Sequence, residues 1–328
     1  MTIFEFSQEF SDEQSCINRL RQIRENEGII CKHCGGLLHR WLENRQCWEC
    51  TNCHARQTLK SGTVMENTNL SLLAWFRAIA LFVNTKKSIS AKELQRQLGL
   101  KRYQPAWELS HKIRKAMGKR DENYQLAGSM EVDEGFFKTC EHPKNYENRN
   151  HEITKETPVE QLTKRGRGSD EQSAVLIMVE STPVDKPAKG QKSNKIGYIK
   201  MKFLSRQDSK TITPILMESI KMESDILTDG YPAYNKINEH FQEHRVTVIK
   251  DKNLLNEHFP WVHTIISNVK RLFLGIHHKI GKGYLQLYLN EFCYKFNRRH
   301  LHKGMFDRLL VACVSSKHES LYTMRSCG

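Results

Sequence analysis

Two aspartates stand where a catalytic cation could be held. In Ser224–Asn235, SDILTDGYPAYN, the apolar pair Ile226-Leu227 reads as the end of a buried strand. Asp229 follows where that strand stops, and Gly230 and Pro232 turn the chain away. A carboxylate at the end of a central strand points into the crevice where open α/β sheets bind ligands. Ser129–Lys138, SMEVDEGFFK, has a similar form: Met130, Val132 and Phe136 alternate, with Asp133 inside the run. An aspartate within an apolar strand is costly unless something pairs it. Asp229 alone would be read first as a turn or helix-cap residue. Two such residues in a basic chain point instead to a shared cation. Glu131 shares a strand face with Asp133 and Glu134 points the other way, so both are expected to be supporting or solvated.

A second metal site is written in cysteines. CKHC at 31–34 and CTNC at 50–53 enclose a segment that holds Trp41 and Trp48. Each CxxC turns two thiolates toward one ion, and two such knuckles complete a tetrahedral site for Zn²⁺. The expected ligands are Cys31, Cys34, Cys50 and Cys53. Cys47 offers a competing CWEC pair, but the later pair leaves a longer strand-forming segment, as in a zinc ribbon. Four thiolates leave no open position, so this zinc is expected to be structural.

The chain of 328 residues carries a formal net charge of +14, which calls for an anionic partner. No run of about 18 apolar residues is present, so no membrane-spanning helix is expected. The N-terminal MTIFEFSQEF lacks the basic start of a signal peptide. Ten cysteines, five of them between Cys31 and Cys53, suit metal binding in a reducing compartment. The expected location is the cytoplasm, on the nucleoid.

The elements that must position these residues follow in order. Residues 11–25 form a short amphipathic helix opened by Ser11 and Gln14. Leu70–Val83 reads as a core helix. Ser90 and Glu93 open a helix to Leu98, Gly99 makes a turn, and Pro105 starts a longer helix with Ala106, Leu109, Ile113 and Met117 on its apolar face. Helix, glycine turn, helix predicts a helix-turn-helix. Eleven Lys/Arg against two Glu from Lys86 to Arg120 point it at DNA. Lys112, Arg114 and Lys115 are its expected phosphate contacts, and base-reading side chains fall between Lys101 and Arg114. Beyond Gly118 the pattern is strand, polar excursion (139–172), strand Ala174–Glu180, loop (181–195), strand Ile196–Leu204, and helix Thr211–Ile220. Then come the strand ending at Asp229, a helix from Tyr231, a short strand from Arg245, and helices over about 262–275 and from Gly283 to Arg299. The expected domains are 1–63 (helix and zinc ribbon), 64–122 (helix-turn-helix) and 123–328 (catalytic).

Three strands, helix, strand, helix, with Asp on the first and fourth strands, is an RNase H-like mixed sheet with flanking helices. On these pieces the chain resembles the ISXO-type insertion-sequence transposases of the DDE class. The matching stretches are the CxxC pairs, SGTVMENTNLSLLAWFRAI (61–79), EVDEGFF (131–137) and LTDGYPAYN (227–235). They continue with PWVHTIISNVKRLFLGIHH (260–278) and LQLYLNEFCYKFNRR (285–299). The resemblance implies an enzyme that cuts DNA at element ends and joins the 3′-hydroxyls to target DNA. It implies double-stranded terminal inverted repeats as partner, a homo-oligomer on DNA, and no membrane. In-line attack on a phosphodiester suits two divalent cations, Mg²⁺ or Mn²⁺, clamped by carboxylates. Asp133 would bridge the two and Asp229 would hold one.

The family's usual third acid is missing, since residues 263–270 contain no Asp or Glu and Glu257 lies before Pro260. The resemblance also implies a DNA-contacting lysine, which matches Lys270. Residues seven apart share a helix face, whereas residues two apart do not, which favours His263 over Asn268 as the third ligand. The competing reading is a DNA-binding regulator, or a decayed transposase that binds element ends without cutting them.

Overall fold

The computed structural model describes residues 1–140, 172–184, 193–247, 259–278, 280–301 and 304–319. The polar excursion at 141–171, with its KRGRGSD run, and Glu257 lie outside these residues, as does 185–192 of the expected loop. By internal contacts the chain divides into two units. One holds Met1–Asp121 and the segment from Arg298, and the other is built on Glu122–Asn297.

In the first unit, α1 (Ile3–Glu9) is opened by a reciprocal capping box between Thr2 and Glu5. Helix α2 (Glu13–Glu27) is capped by Asp12, one position after the expected Ser11, because the Asp12 carboxylate reaches the Ser15 amide at 2.8 Å. Strands β1 (His39–Leu42), β2 (Cys47–Cys50) and β3 (Arg56–Thr58) form an antiparallel sheet with Trp41 opposite Trp48. Helix α3 (Leu72–Asn84) has Ser71 at its cap, and the Glu13 carboxylate accepts from the Leu72 and Leu73 amides. Helix α4 (Ala91–Gln97) starts at the Ser90 cap, and Gly99 then takes φ +64°, a left-handed conformation that suits glycine. Helix α5 (Tyr103–Glu122) follows, buried continuously from Leu109 to Gly118.

In the second unit, β4 (Ser129–Lys138), β5 (Gln172–Pro183) and β6 (Asn194–Phe203) form an antiparallel meander. Helix α6 (Ser209–Ser219) precedes β7 (Asp225–Thr228), which pairs parallel to β4, and β8 (Glu243–Val246) pairs parallel to β7. The sheet order is β6-β5-β4-β7-β8. Helices α7 (Val262–Ile276) and α8 (Leu285–Asn297) cover one face, packing on Phe137, Ile177 and Met201. Helix α6 and the segment after β7 cover the other, packing on Met130, Val132 and Ile226.

Two expectations change. The helix expected from Tyr231 is instead a pair of short 3-10 turns, Pro232–Tyr234 and Ile237–Glu239. The last strand begins at Glu243, two residues before Arg245. Residues 1–63 and 64–122 share one unit, and the chain returns to it through α9 (Met305–Ser315), which packs on α2 and α3. Phe306 on α9 closes an aromatic cluster with Phe6, Phe10 and Phe76, at ring separations of 5.6, 5.4 and 5.7 Å.

Candidate active site and cysteine cluster

The two aspartates come from adjacent strands, Asp133 from β4 and Asp229 from just past the end of β7. Ser129, Met130 and Glu131 pair with Asp225, Ile226 and Leu227, each offset by 96 residues. Asp133 lies two residues past the last residue of β4 paired with β7, and Asp229 lies one residue beyond the end of β7. Leu227 packs toward α7, on the face of the sheet that Glu131 and Asp133 share. The charges of Asp133 and Asp229 both reach the Tyr234 hydroxyl. Each aspartate is fixed by a local amide: the Glu134 N–H donates to Asp133 at 2.8 Å, and the Tyr231 N–H to Asp229 at 3.1 Å. Thr228 donates to the Asp229 carbonyl and lies 2.8 Å from the His244 ring of β8.

The third group comes from α7. The backbone amides of Trp261 and Val262 donate to the Glu131 carboxylate at 2.9 and 2.8 Å, so a strand residue anchors the start of this helix. Four residues along the strand, Gly135 lets the helix approach: a Cβ there would stand 3.2 Å from Ile266 and 2.8 Å from Ile177. These contacts run α7 along β4 and set His263 Nδ1 4.0 Å from Asp133 Oδ2. The His263 and Asp133 side chains are 31% and 18% exposed, open enough to meet a solute. Burial pushes the His263 pKa down, which favours the neutral, ligating imidazole. Asn268, about 140° around the helix from His263, is exposed. Lys270 is exposed too, with its ammonium 5.8 Å over the Phe137 ring. Phe137 is four residues past Asp133, roughly 13 Å along the strand. The structure thus brings His263 to Asp133 and leaves Lys270 farther down the same face.

Neither flanking glutamate is solvated, since both are buried. Glu131 holds α7 in place. Glu134, on the opposite face, accepts a 2.7 Å hydrogen bond from the Tyr234 hydroxyl. Burial, then the Glu134, Asp133 and Asp229 charges, raise the Tyr234 pKa well above its usual value. Tyr234 thereby ties the segment after Asp229 to the strand of Asp133. The sequence held the signal, because a carboxylate alternating with Met130, Val132 and Phe136 needs a buried partner.

In the first unit, the Cys31, Cys34, Cys50 and Cys53 sulfurs lie within 4.8 Å of one another. The Cys31–Cys53 and Cys34–Cys50 separations are 3.6 and 3.5 Å, close to the roughly 3.8 Å edge of a tetrahedron with 2.3 Å metal–sulfur bonds. Cys47 falls outside the group, in the strand pairing with Leu42 and Thr58. The amides of Cys34 and His33 hold the Cys31 thiol down to about 6, and those of Cys53 and Asn52 lower Cys50 in the same way. Gly36 leaves room beside the cluster: a Cβ there would stand 3.3 Å from the Cys34 and Cys50 sulfurs. The donor set fits a structural zinc.

The three expected DNA contacts on α5 are not on the surface. Lys112, Arg114 and Lys115 are 6%, 1% and 9% exposed. Lys112 donates to the Glu66 carbonyl, and Lys115 pairs with Glu319. Arg114 donates to Ser110, Ser88 and the Ile89 carbonyl, with its guanidinium over Phe82. Their charges hold the first unit together. Among the exposed residues of this region are Lys101 and Arg102, just before α5, and Tyr103 and Gln104, its first two residues.

Among the described residues, no helix is long and apolar enough to cross a membrane. The chain is 22% identical over 293 residues to an uncharacterized protein in transposable element ISH50 of Halobacterium salinarum, covering 86% of this chain and 90% of that one. It overlaps the solved pre-cleavage Mos1 transpososome (10% identity) and the Mos1 strand transfer complex (13%). Each overlap covers 75% of this chain and 79% of the other at a TM-score of 0.28, too slight to define a shared fold. An ISXO2-like transposase domain matches residues 125–297, the segment that carries Asp133, Asp229 and His263. Since that segment is more than half of the chain, the protein belongs to the ISXO2-like transposase family.

Proposed function

We propose that this transposase cleaves DNA at the ends of its element and joins the 3′-hydroxyls to target DNA, using divalent cations held by Asp133, Asp229 and His263. The observation that carries this reading is an imidazole nitrogen 4.0 Å from the Asp133 carboxylate, with Asp229 just past the end of the strand that pairs with β4. Two carboxylates and a neutral imidazole suit Mn²⁺ well and Mg²⁺ less well. Bound there, such ions would activate the attacking oxygen and offset charge on the leaving one. The protein's own part is to hold the donors still. Amides fix both carboxylates, Glu131 pins the helix of His263, and Tyr234 ties the Asp229 segment to β4. The sheet order, three antiparallel strands and then two parallel ones, agrees with an RNase H-like fold.

Duplex DNA is the proposed partner of the first unit. Helices α4 and α5 around Gly99 have the form of a helix-turn-helix, and in such motifs the start of the second helix reads base edges. Lys101, Arg102 and Gln104 are exposed there and take the role expected of Lys112, Arg114 and Lys115. The cysteine cluster holds Zn²⁺ and keeps the small β1–β3 sheet folded. Two element ends call for at least two copies of the chain on DNA.

Histidine in place of the third acid favours one competing reading, a protein that binds element ends without cutting them. The test is cleavage of a labelled duplex that carries the element terminus, with Mn²⁺ or Mg²⁺. Cleavage is expected to be faster with Mn²⁺, lost in Asp133→Asn, Asp229→Asn and His263→Ala, and kept in Asn268→Ala, all with unchanged DNA binding. Binding without cleavage under either metal would establish the competing reading. An active His263→Ala beside a dead Asn268→Ala would move the third ligand to Asn268.

A further inference from the structure

The second unit carries a cleft of about 530 Å³, apart from the Asp133–His263 pair and outside every role assigned above. Its lining includes Arg206, Asp208, Ser209, Lys210, Thr213 and Lys236. Arg206, Lys210 and Lys236 are exposed cations facing one carboxylate, that of Asp208. That carboxylate is already engaged: it accepts from the Thr211 hydroxyl and amide and pairs with Arg206 at 2.9 Å. These bonds, the Thr211 hydroxyl first, hold its pKa low. Two hydroxyls, Ser209 and Thr213, stand one helical turn apart on the wall. Cations and hydroxyl donors on a concave surface are the ordinary means of gripping phosphate oxygens.

Two further observations give the cleft a purpose. Lys210 occupies the second position of α6, where the helix dipole disfavours a cation and favours an acid. A lysine kept there works against local stability. The cleft is also tied directly to the acid pair. The Tyr231 hydroxyl donates to the Gln207 carbonyl at 2.7 Å, and the Tyr231 amide donates to Asp229 at 3.1 Å. One residue therefore joins the rim of the cleft to a proposed metal ligand.

We propose that this cleft seats the sugar-phosphate backbone of a DNA strand beside Asp229, with Lys210, Lys236 and Arg206 neutralising its phosphates. The seat rests on the proposed DNA cleavage for its purpose, but the binding can be tested separately. Each phosphate contact adds about 0.9 to the slope of log affinity against log salt, or about 3.5-fold in affinity over a fourfold change in salt. Lys210 and Lys236 are exposed, so replacing them leaves the core intact.

The experiment measures the salt dependence of duplex binding by the full chain. It compares wild type, Lys210→Gln/Lys236→Gln, the same pair changed to Glu, and a control pair, Lys138→Glu/Lys221→Glu, equally exposed on the second unit. Thermal melting checks folding. Both cleft variants should lose about 1.8 from the slope, equivalent to about 12-fold over the fourfold salt change, and the control pair should lose less. Equal losses in cleft and control variants would show only general charge attraction and overturn the proposal. Saturable binding of inorganic phosphate at constant ionic strength, lost in the cleft variants while their DNA slope stays at the wild-type value, would overturn it in favour of a small-anion site. If the wild type binds DNA with a slope that depends on Lys210 and Lys236 but cuts nothing, the seat stands and the cleavage reading fails.

Discussion

Replacing Gly135 by alanine tests how α7 is brought to the sheet. A Cβ at 135 would stand 2.8 Å from Ile177 Cδ1, 2.9 Å from Phe137 Cε2 and 3.2 Å from Ile266 Cγ1. Two of those atoms belong to the sheet and one to the helix of His263, so relief requires side chains or the helix to move. Overpacking of this kind costs about 1–3 kcal/mol. Alanine also stiffens the unfolded chain, which returns about 0.4–1 kcal/mol. The net loss should be about 1–2 kcal/mol, read as a fall of roughly 2–8 °C in the melting temperature of the second unit. Ile177→Val removes the nearest atom, Cδ1, and alone should cost about 0.5–1.5 kcal/mol. Combined with Gly135→Ala it should cost less than the sum, with a coupling of at least about 0.5 kcal/mol. Denaturant unfolding of the four proteins in the cycle supplies the numbers. A neutral Gly135→Ala, or strict additivity with Ile177→Val, would refute the close-approach argument. If α7 is what moves, His263 retreats from Asp133 and metal-dependent cleavage should fall more than stability does.

Further outcomes follow from other contacts. Cys50→Ser should release zinc and melt the first unit at lower temperature, whereas Cys47→Ser should keep its zinc; bound metal measured after gel filtration separates the two. Arg114→Ala should destabilise the first unit by about 2 kcal/mol or more, because buried acceptors lose their donor, and should leave the DNA salt slope unchanged. Lys101→Ala with Arg102→Ala should do the reverse, removing up to about 1.8 from the slope. For Tyr234 the folded pKa lies above the unfolded one, so its stabilisation is complete below about pH 10 and is lost as pH climbs toward the folded value. Tyr234→Phe should therefore flatten the alkaline fall in stability by up to about 1.4 kcal/mol per pH unit, measured as urea midpoints from pH 9 to 11.

The sheet could be read from the sequence because its strands advertise themselves. Val175 to Val179 is an unbroken apolar run, and Met130, Val132 and Phe136 alternate around Asp133. The offset that pairs β4 with β7 is not legible in the sequence, since register is settled by packing against α6 and α7. The basic residues of α5 show the opposite failure. Charge on a helix suggests solvent, yet Lys112, Arg114 and Lys115 are buried because the Glu66 carbonyl, Ser88, Ile89 and Glu319 converge on them from distant parts of the chain. The turns after Tyr231 carry a pattern that also suits a helix. Pro232 suits a first turn of either kind, and the second 3-10 turn breaks after Glu239. Helix α9 did have a legible pattern, with Phe306, Leu309, Leu310 and Cys313 at helical spacing, but nothing local says that it packs with the first 121 residues.

That return has a consequence for how the protein is made. The cluster of Phe6, Phe10 and Phe76 is complete only with Phe306, which leaves the ribosome after the whole second unit. Translation of the intervening stretch, at ordinary speeds, takes on the order of 10–40 s. During that interval the first unit has its zinc ligands and its helices but an open aromatic face. The Asp121–Arg298 ion pair, 2.6 Å long, then fastens the outgoing and returning strands of the chain to each other. A copy of the gene cut short anywhere before the codon for Phe306 would thus encode a first unit without its closing helix, with Phe6, Phe10 and Phe76 left uncovered and open to proteases.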